Sequence, residues 1–126
     1  MSLKKYYIFS AIIVIIDQLL KGVAIKNFSY VTNTGAAWGI LKNSQVFLVV
    51  ISIIAILVII RYLKTYPLEL SFILGGTIGN LIDRIFRHHV IDFINIRVFN
   101  YPLFNVADIF IVAGAILIGI KIFTRD

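Results

Sequence analysis

Cysteine is absent from this chain, and only six of its 126 residues are acidic. The first absence excludes disulfides and thiolate metal sites. The second belongs to a wider shortage of charge. Asp, Glu, Lys and Arg together make up 14% of the sequence, against about 25% in an ordinary soluble domain. Such a chain cannot coat a water-facing surface. A basic tract is missing too. The twelve Lys and Arg stand singly or in pairs at the ends of apolar runs. Despite the net charge of +6, that pattern fits helix ends anchored among lipid headgroups and argues against nucleic-acid binding. What the chain has in plenty is apolar side chains, 60% of the total, with a mean hydropathy of +0.99. The composition is that of an integral membrane protein, read as one compact domain over residues 1–126.

Four apolar segments stand out, at about 6–24, 45–62, 68–85 and 104–123. Each is close to the ~20 residues a helix needs to cross ~30 Å of hydrocarbon. Backbone groups in lipid must bond internally, and segments of this length do so best as helices. Ten-residue alternating patterns are absent, which argues against a barrel. The first segment has some likeness to a secretory leader, with Lys4 and Lys5 before an apolar run. Asp17 interrupts that run and no A-x-A site follows, so the segment reads as a retained helix.

The connection at 61–67 is short and basic, a tight turn. Those at 25–44 and 86–103 are longer and rich in Asn, aromatic and β-branched residues. Val31-Thr32 and residues 94–98 read as short extended pieces. Four crossings put both chain ends and the 61–67 turn on one side of the membrane. Six basic residues fall on that side (Lys4, Lys5, Arg61, Lys64, Lys121, Arg125) and six on the other. The first six lie in much shorter segments at helix ends, where positive charge sets orientation, so the termini are expected in the cytoplasm.

On this layout the unusual residues sort to the outer face. Asp17 falls near the outer end of the first helix, and Asn80, Asp83 and Arg84 near that of the third. Asp92 lies in the connection that follows, Asn105 and Asp108 open the fourth helix, and Asn33 and Gly35 belong to the other outer connection. Of the six acids only Glu69 and Asp126 lie on the inner face. Charges within such segments cost about 2.5–3.5 kcal/mol at mid-membrane, so they usually mark a site. Each cluster also has a structural reading. Asp17 and Lys21 are spaced as an i,i+4 ion pair. Asn80, Asp83, Arg84 and Arg87 share one helix face. Gly75, Gly76 and Gly79 permit close helix packing. Asn105 followed by Asp108 is the pattern of a helix cap. His88 and His89 suit a headgroup-facing role, and Trp38 an interface anchor.

No G-x-S-x-G, P-loop or H-E-x-x-H string is present, and neither a metal nor a cofactor is expected. A carboxylate pair remains for chemistry. Two carboxylates a few ångströms apart share a proton. One can then act as base on a water while the other donates to a carbonyl oxygen, which hydrolyses an amide without metal or covalent intermediate. Asp92 and Asp108 are sixteen residues apart across a loop containing Pro102, a spacing that allows them to meet.

Five strings carry a resemblance. "DQLLK" at 17–21, "NTGAAWG" at 33–39, "GGTIGNLIDR" at 75–84, "VIDF" at 90–93 and "FNVAD" at 104–108 resemble, in order, the D-Q-x-x-K, N-x-G-A-A-F, G-G-x-x-G-N-x-x-D-R, V-V-D-F and F-N-x-A-D strings of the lipoprotein signal peptidases (signal peptidase II). These are bacterial inner-membrane aspartyl peptidases. The resemblance implies an all-α integral membrane protein of four transmembrane helices with a small extracytoplasmic β region. It implies that Asp92 and Asp108 form the catalytic dyad and that Asn33, Gly35, Asn80, Arg84, Asn105 and Ala107 line or support the site. Asp17, Lys21 and Asp83 would lie in buried polar networks. The implied partner is a prolipoprotein whose lipobox cysteine carries diacylglyceryl, cut just before that cysteine at the outer membrane boundary by a monomeric enzyme. Membrane lipids are the other expected partner, with a basic outer rim suited to their phosphates. Inhibition by the cyclic peptide globomycin is also implied.

The chain departs from the family in three places. Only eleven residues separate Lys21 from Asn33, so the extracytoplasmic cradle is expected to be reduced. Trp38 replaces Phe, and His88 stands where relatives commonly have Gly. The rival readings are a small ion- or proton-transporting subunit and a non-catalytic pseudoenzyme. The first calls for ionisable groups through the whole membrane thickness, and 53–60 and 114–120 have none. The second calls for loss of a catalytic acid or its Asn partners, and all are present.

Overall fold

In the computed structural model, which describes residues 2–27, 29–36 and 42–125, the chain forms four α-helices and a two-stranded sheet. They run in the order α1 (Lys4–Lys26), β1 (Val31–Asn33), α2 (Gln45–Tyr62), α3 (Pro67–Ile82), β2 (Val90–Asp92) and α4 (Val106–Thr124). By length and composition α1, α2 and α4 can each cross a membrane. The shorter α3 has 16 residues but continues into a π-helical turn, Asp83–Arg87. Trp38, expected as an interface anchor, lies outside the described residues.

Local chemistry accounts for the helix ends. Pro67 opens α3 in its first turn, where a missing N–H costs nothing. Asn105 caps α4: its side chain accepts from Asp108 N at 2.9 Å, and Asp108 Oδ2 accepts from Asn105 N at 3.1 Å. The cap fixes the start of α4 at Val106, two residues later than the apolar run suggests, because Asn105 is extended. α1 outruns its apolar segment by two residues at each end. The π-turn ends at His88, whose φ of 66° is left-handed. His is among the non-glycine residues that tolerate this conformation best.

α3 is the central helix, packed against α1, α2 and α4. The three glycines at 75, 76 and 79 make this possible. A Cβ on Gly75 would stand 2.8 Å from Ile13 Cβ of α1, one on Gly76 would overlap the Ala107 carbonyl of α4, and one on Gly79 would reach Asp17 Oδ2 at 2.5 Å. Large apolar side chains such as Leu19, Val46, Leu57 and Phe123 face outward, as a lipid-facing surface requires.

β1 and β2 pair antiparallel, with Val31 opposite Asp92 and Asn33 opposite Val90. The first strand falls where the sequence suggests. The second lies earlier than the expected 94–98. Phe93 N and Ile94 N both donate to Phe104 O at 2.9 Å, and Arg97 N donates to Asn95 Oδ1 at 2.8 Å. Those bonds close 94–104 into a loop, in which Arg97 takes a left-handed φ of 56°.

Candidate active site

The two-stranded sheet and the end of α3 bring Asp92 to the start of α4, beside Asp108. Both acids line one cleft of about 450 Å³, together with Asn33, Gly35, Asn80 and Arg84. One residue bridges them. Asn105 Nδ2 donates to Asp92 Oδ1 at 2.9 Å, and Asn105 N donates to Asp108 Oδ2. The same amide reaches Asn80 Oδ1 at 3.0 Å, and Asn80 Nδ2 donates to Asp108 Oδ1 at 3.0 Å. Asp92 Oδ2 accepts from Asn33 Nδ2 at 3.1 Å, while Asn33 Oδ1 accepts from Gly35 N at 2.9 Å. Every carboxylate oxygen of the pair therefore has an N–H donor that orients it.

Burial pushes Asp92 up to about 6, and the nearby negative charge of Asp108 pushes in the same direction. The hydrogen bonds from Asn33 and Asn105 oppose the rise, as does the charge of Lys21. Desolvation wins because Asp92 is only 3% exposed. Arg84 borders the same cleft. Its charge interacts with Asp108 and Asp92, and its buried Nε has no hydrogen-bond partner among the described residues.

Beneath the cleft lies an ion cluster in which Asp17, Lys21 and Asp83 are fully buried. Lys21 Nζ stands 2.7 Å from Asp17 Oδ2, 3.0 Å from Asp83 Oδ2 and 3.1 Å from Asn80 Oδ1. Arg87 joins at 2.5 Å from Asp83 Oδ1, which leaves two cations on two carboxylates. Asp17 Oδ1 accepts the Ala107 N–H at 2.9 Å, and Asp83 Oδ2 accepts the Ile91 N–H at 3.0 Å. Since α1 runs on to Lys26, Asp17 lies nine residues from its C-terminal end, about 14 Å at helical rise. That is two residues farther from the helix end than the apolar run suggests, and the first turn of α4 lies at that level. The cleft is thus recessed below the end of α1.

All eleven residues singled out from the sequence gather here. Asn105, Ala107, Asp17, Lys21 and Asp83 are buried supports, and the other six face the cleft. Sequence reasoning missed Gln18. Its Nε2 donates to Gly79 O and Asp83 Oδ1, both at 3.0 Å, and its Oε1 accepts from Arg87 at 2.9 Å. The signal was in "DQLLK": a glutamine inside a membrane helix needs partners. Gln45 of α2, whose side chain donates to Thr34 O, carried no such signal, because it sits at a helix start.

Comparison with known proteins agrees with this geometry. The sequence model of the signal peptidase (SPase) II family matches residues 4–124. A bacterial membrane enzyme solved by the in meso method at 2.3 Å resolution is 27% identical, with a TM-score of 0.86 over 95% of this chain and 88% of that one. A second, also described as a bacterial membrane enzyme and solved by that method at 1.9 Å, is 26% identical, with a TM-score of 0.87 over 98% of this chain and 95% of the other. With a family match over nearly its whole length, the chain belongs to the signal peptidase II family of aspartic peptidases.

Proposed function

We propose that this membrane protein removes the signal peptide from diacylglyceryl-modified prolipoproteins. It cuts the amide just before the lipidated cysteine, with Asp92 and Asp108 activating a water. The observation that carries the reading is the Asn105 bridge, which holds two acids on the wall of one cleft. The pair carries one proton. Asp92 keeps it up to about pH 6, and Asp108 serves as the base.

Asp108 takes a proton from water as the water oxygen bonds to the scissile carbonyl carbon, and Asp92 gives its proton to the carbonyl oxygen. The tetrahedral intermediate then collapses. Its C–N bond breaks, the amine of the lipidated cysteine leaves with the proton from Asp108, and the hydroxyl proton returns to Asp92. Arg84, on the wall of the same cleft, would place its positive charge beside the substrate. The recessed cleft suits this substrate, since acyl chains can stay in lipid while the amide meets water. Cytoplasmic termini, an outward-facing cleft and a monomeric enzyme complete the proposal.

The test is cleavage of a lipidated prolipoprotein by the purified chain. Asp92→Asn and Asp108→Asn are each expected to lower turnover by at least about 10³-fold. Chelator is expected to have no effect. An inactive wild type, or either variant near normal turnover, overturns the assignment.

A further inference from the structure

The loop between β2 and α4 presents a surface that the cleft chemistry does not use. The bridge between Ile94 and Phe104 closes its base, and the edge-to-face pair of Tyr101 and Phe104, 5.7 Å apart, stiffens it. At its tip the apolar side chains point away from the protein. Phe99 is 98% exposed, Ile96 49% and Val98 44%. Arg97, Phe99 and Asn100 all hold left-handed backbone, a conformation that is a true outlier for a bulky residue such as Phe99. From Phe93 to Phe104 there is no acid, and Arg97 is the only charged residue. Arg97 makes no ion pair among the described residues.

The reach of the loop fixes what surrounds it. Phe104 adjoins Asn105 at the start of α4, a level about 14 Å below the outer end of α1. Five residue steps lead from that base to Phe99, a span of about 18 Å at most when fully extended. The turn bond from Tyr101 N to Val98 O, 2.9 Å, shortens it. The tip can therefore pass the outer end of α1 by only a few ångströms, less than the headgroup layer of about 5–7 Å per leaflet. On the first turn of α4, which follows the loop, Ile109 is exposed as well.

We propose that residues 95–99 are seated in the headgroup layer of the outer leaflet, with Phe99, Val98 and Ile96 beneath the phosphates and Arg97 on a phosphate oxygen. The next residues, Tyr101 to Leu103, form one wall of the cleft. Lipid contact at the tip would hold that wall at the membrane surface. The seating rests on membrane placement alone and stands whether or not the peptidase reading does.

The experiment places the only tryptophan at the tip: Phe99→Trp in a Trp38→Phe background, full chain, in phosphatidylglycerol–phosphatidylcholine vesicles. Lipids brominated high on the acyl chain are expected to remove most of the emission, which should be blue-shifted and shielded from aqueous iodide. Water-like emission, quenched by iodide and untouched by bromolipid, overturns the seating. Adding Arg97→Glu is expected to weaken bromolipid quenching. Unchanged quenching in that variant overturns the phosphate contact.

Discussion

Asp17 Oδ1 accepts the backbone N–H of Ala107 at 2.9 Å, joining α1 to the first turn of α4. Asp83 Oδ2 does the same for Ile91 at 3.0 Å. Ala107 directly precedes Asp108, and Ile91 directly precedes Asp92. Each cleft acid is thus the next residue along from a backbone group held by a buried carboxylate, and Lys21 binds both of those carboxylates. One ammonium fixes the spacing of two acids that arrive from different elements. Catalytic groups need placing within about 0.5 Å, and a strand of three residues could not supply that alone.

This coupling makes Asp17 a stability residue as well as a positioning one. Asp17→Ala leaves the Ala107 N–H without its acceptor and Lys21 with one carboxylate fewer. Breaking a buried pair by removing one partner costs about 3–5 kcal/mol. Asp17→Asn keeps an oxygen for Ala107 and is expected to cost less. Thermal melts of both variants in one detergent check the order. Equal melting temperatures for Asp17→Ala and wild type would show that the cluster does not hold α4.

Asn105 combines two roles that substitution can separate. Its Oδ1 caps α4, and its Nδ2 reaches Asp92. Asn105→Ala loses the cap, worth about 1 kcal/mol, and leaves buried acceptors short of a donor at about 1–3 kcal/mol. Asn105→Ser restores a capping oxygen without the amide. It is expected to recover part of the melting temperature while kcat stays about 10²-fold low, the loss that misplacement by an ångström can bring. Recovery of both together would mean that the amide contact to Asp92 is dispensable.

The helices were legible because lipid leaves the backbone no alternative to internal hydrogen bonds. The gathering of Asp17, Asn80, Asp83, Asp92, Asn105 and Asp108 was legible because an apolar chain has no solubilising use for charge there. The contacts themselves were not. Nothing in the spacing of Asp17 and Ala107 says that a carboxylate accepts that particular N–H. The second strand was misplaced because β-branched residues at 94–98 favour extension locally, while the bonds of Phe93 and Ile94 to Phe104 settle the matter across the loop. The π-turn after Ile82 had no signal in residue type. The distance of Asp17 from the end of α1 depended on where that helix stops, and composition blurs helix ends in a chain this apolar.

The glycines divide into two kinds. A Cβ at Gly76 would overlap the Ala107 carbonyl, backbone that cannot give way without moving α4. Gly76→Ala is expected to destabilise by about 1–3 kcal/mol or more and to lower activity, because Ala107 adjoins Asp108. Gly22 and Gly119 have open space where a Cβ would stand. Alanine at either is expected to leave activity intact and to stabilise the helix by up to about 1 kcal/mol. Melting curves and turnover of the three single variants, measured side by side, test the contrast.

The last prediction concerns pH. Asp92 titrates at about 6 in the folded chain against an ordinary value of 3.8. Between those values the folded state binds more protons than the unfolded state, so stability falls as pH rises through the window and levels off above it. The raised value corresponds to about 3 kcal/mol across the whole window. Asp92→Asn removes the titrating group, so its melting temperature is expected to lack that part of the decline between pH 4 and 6. Catalysis has the same sign. The pair needs its shared proton, and kcat/KM for the lipidated substrate is expected to descend on a limb near pH 6, where Asp92 gives that proton up. A profile flat from pH 5 to 8, with a melting temperature equally flat, would mean that Asp92 is ionised throughout and that burial at this site does not do what the geometry requires.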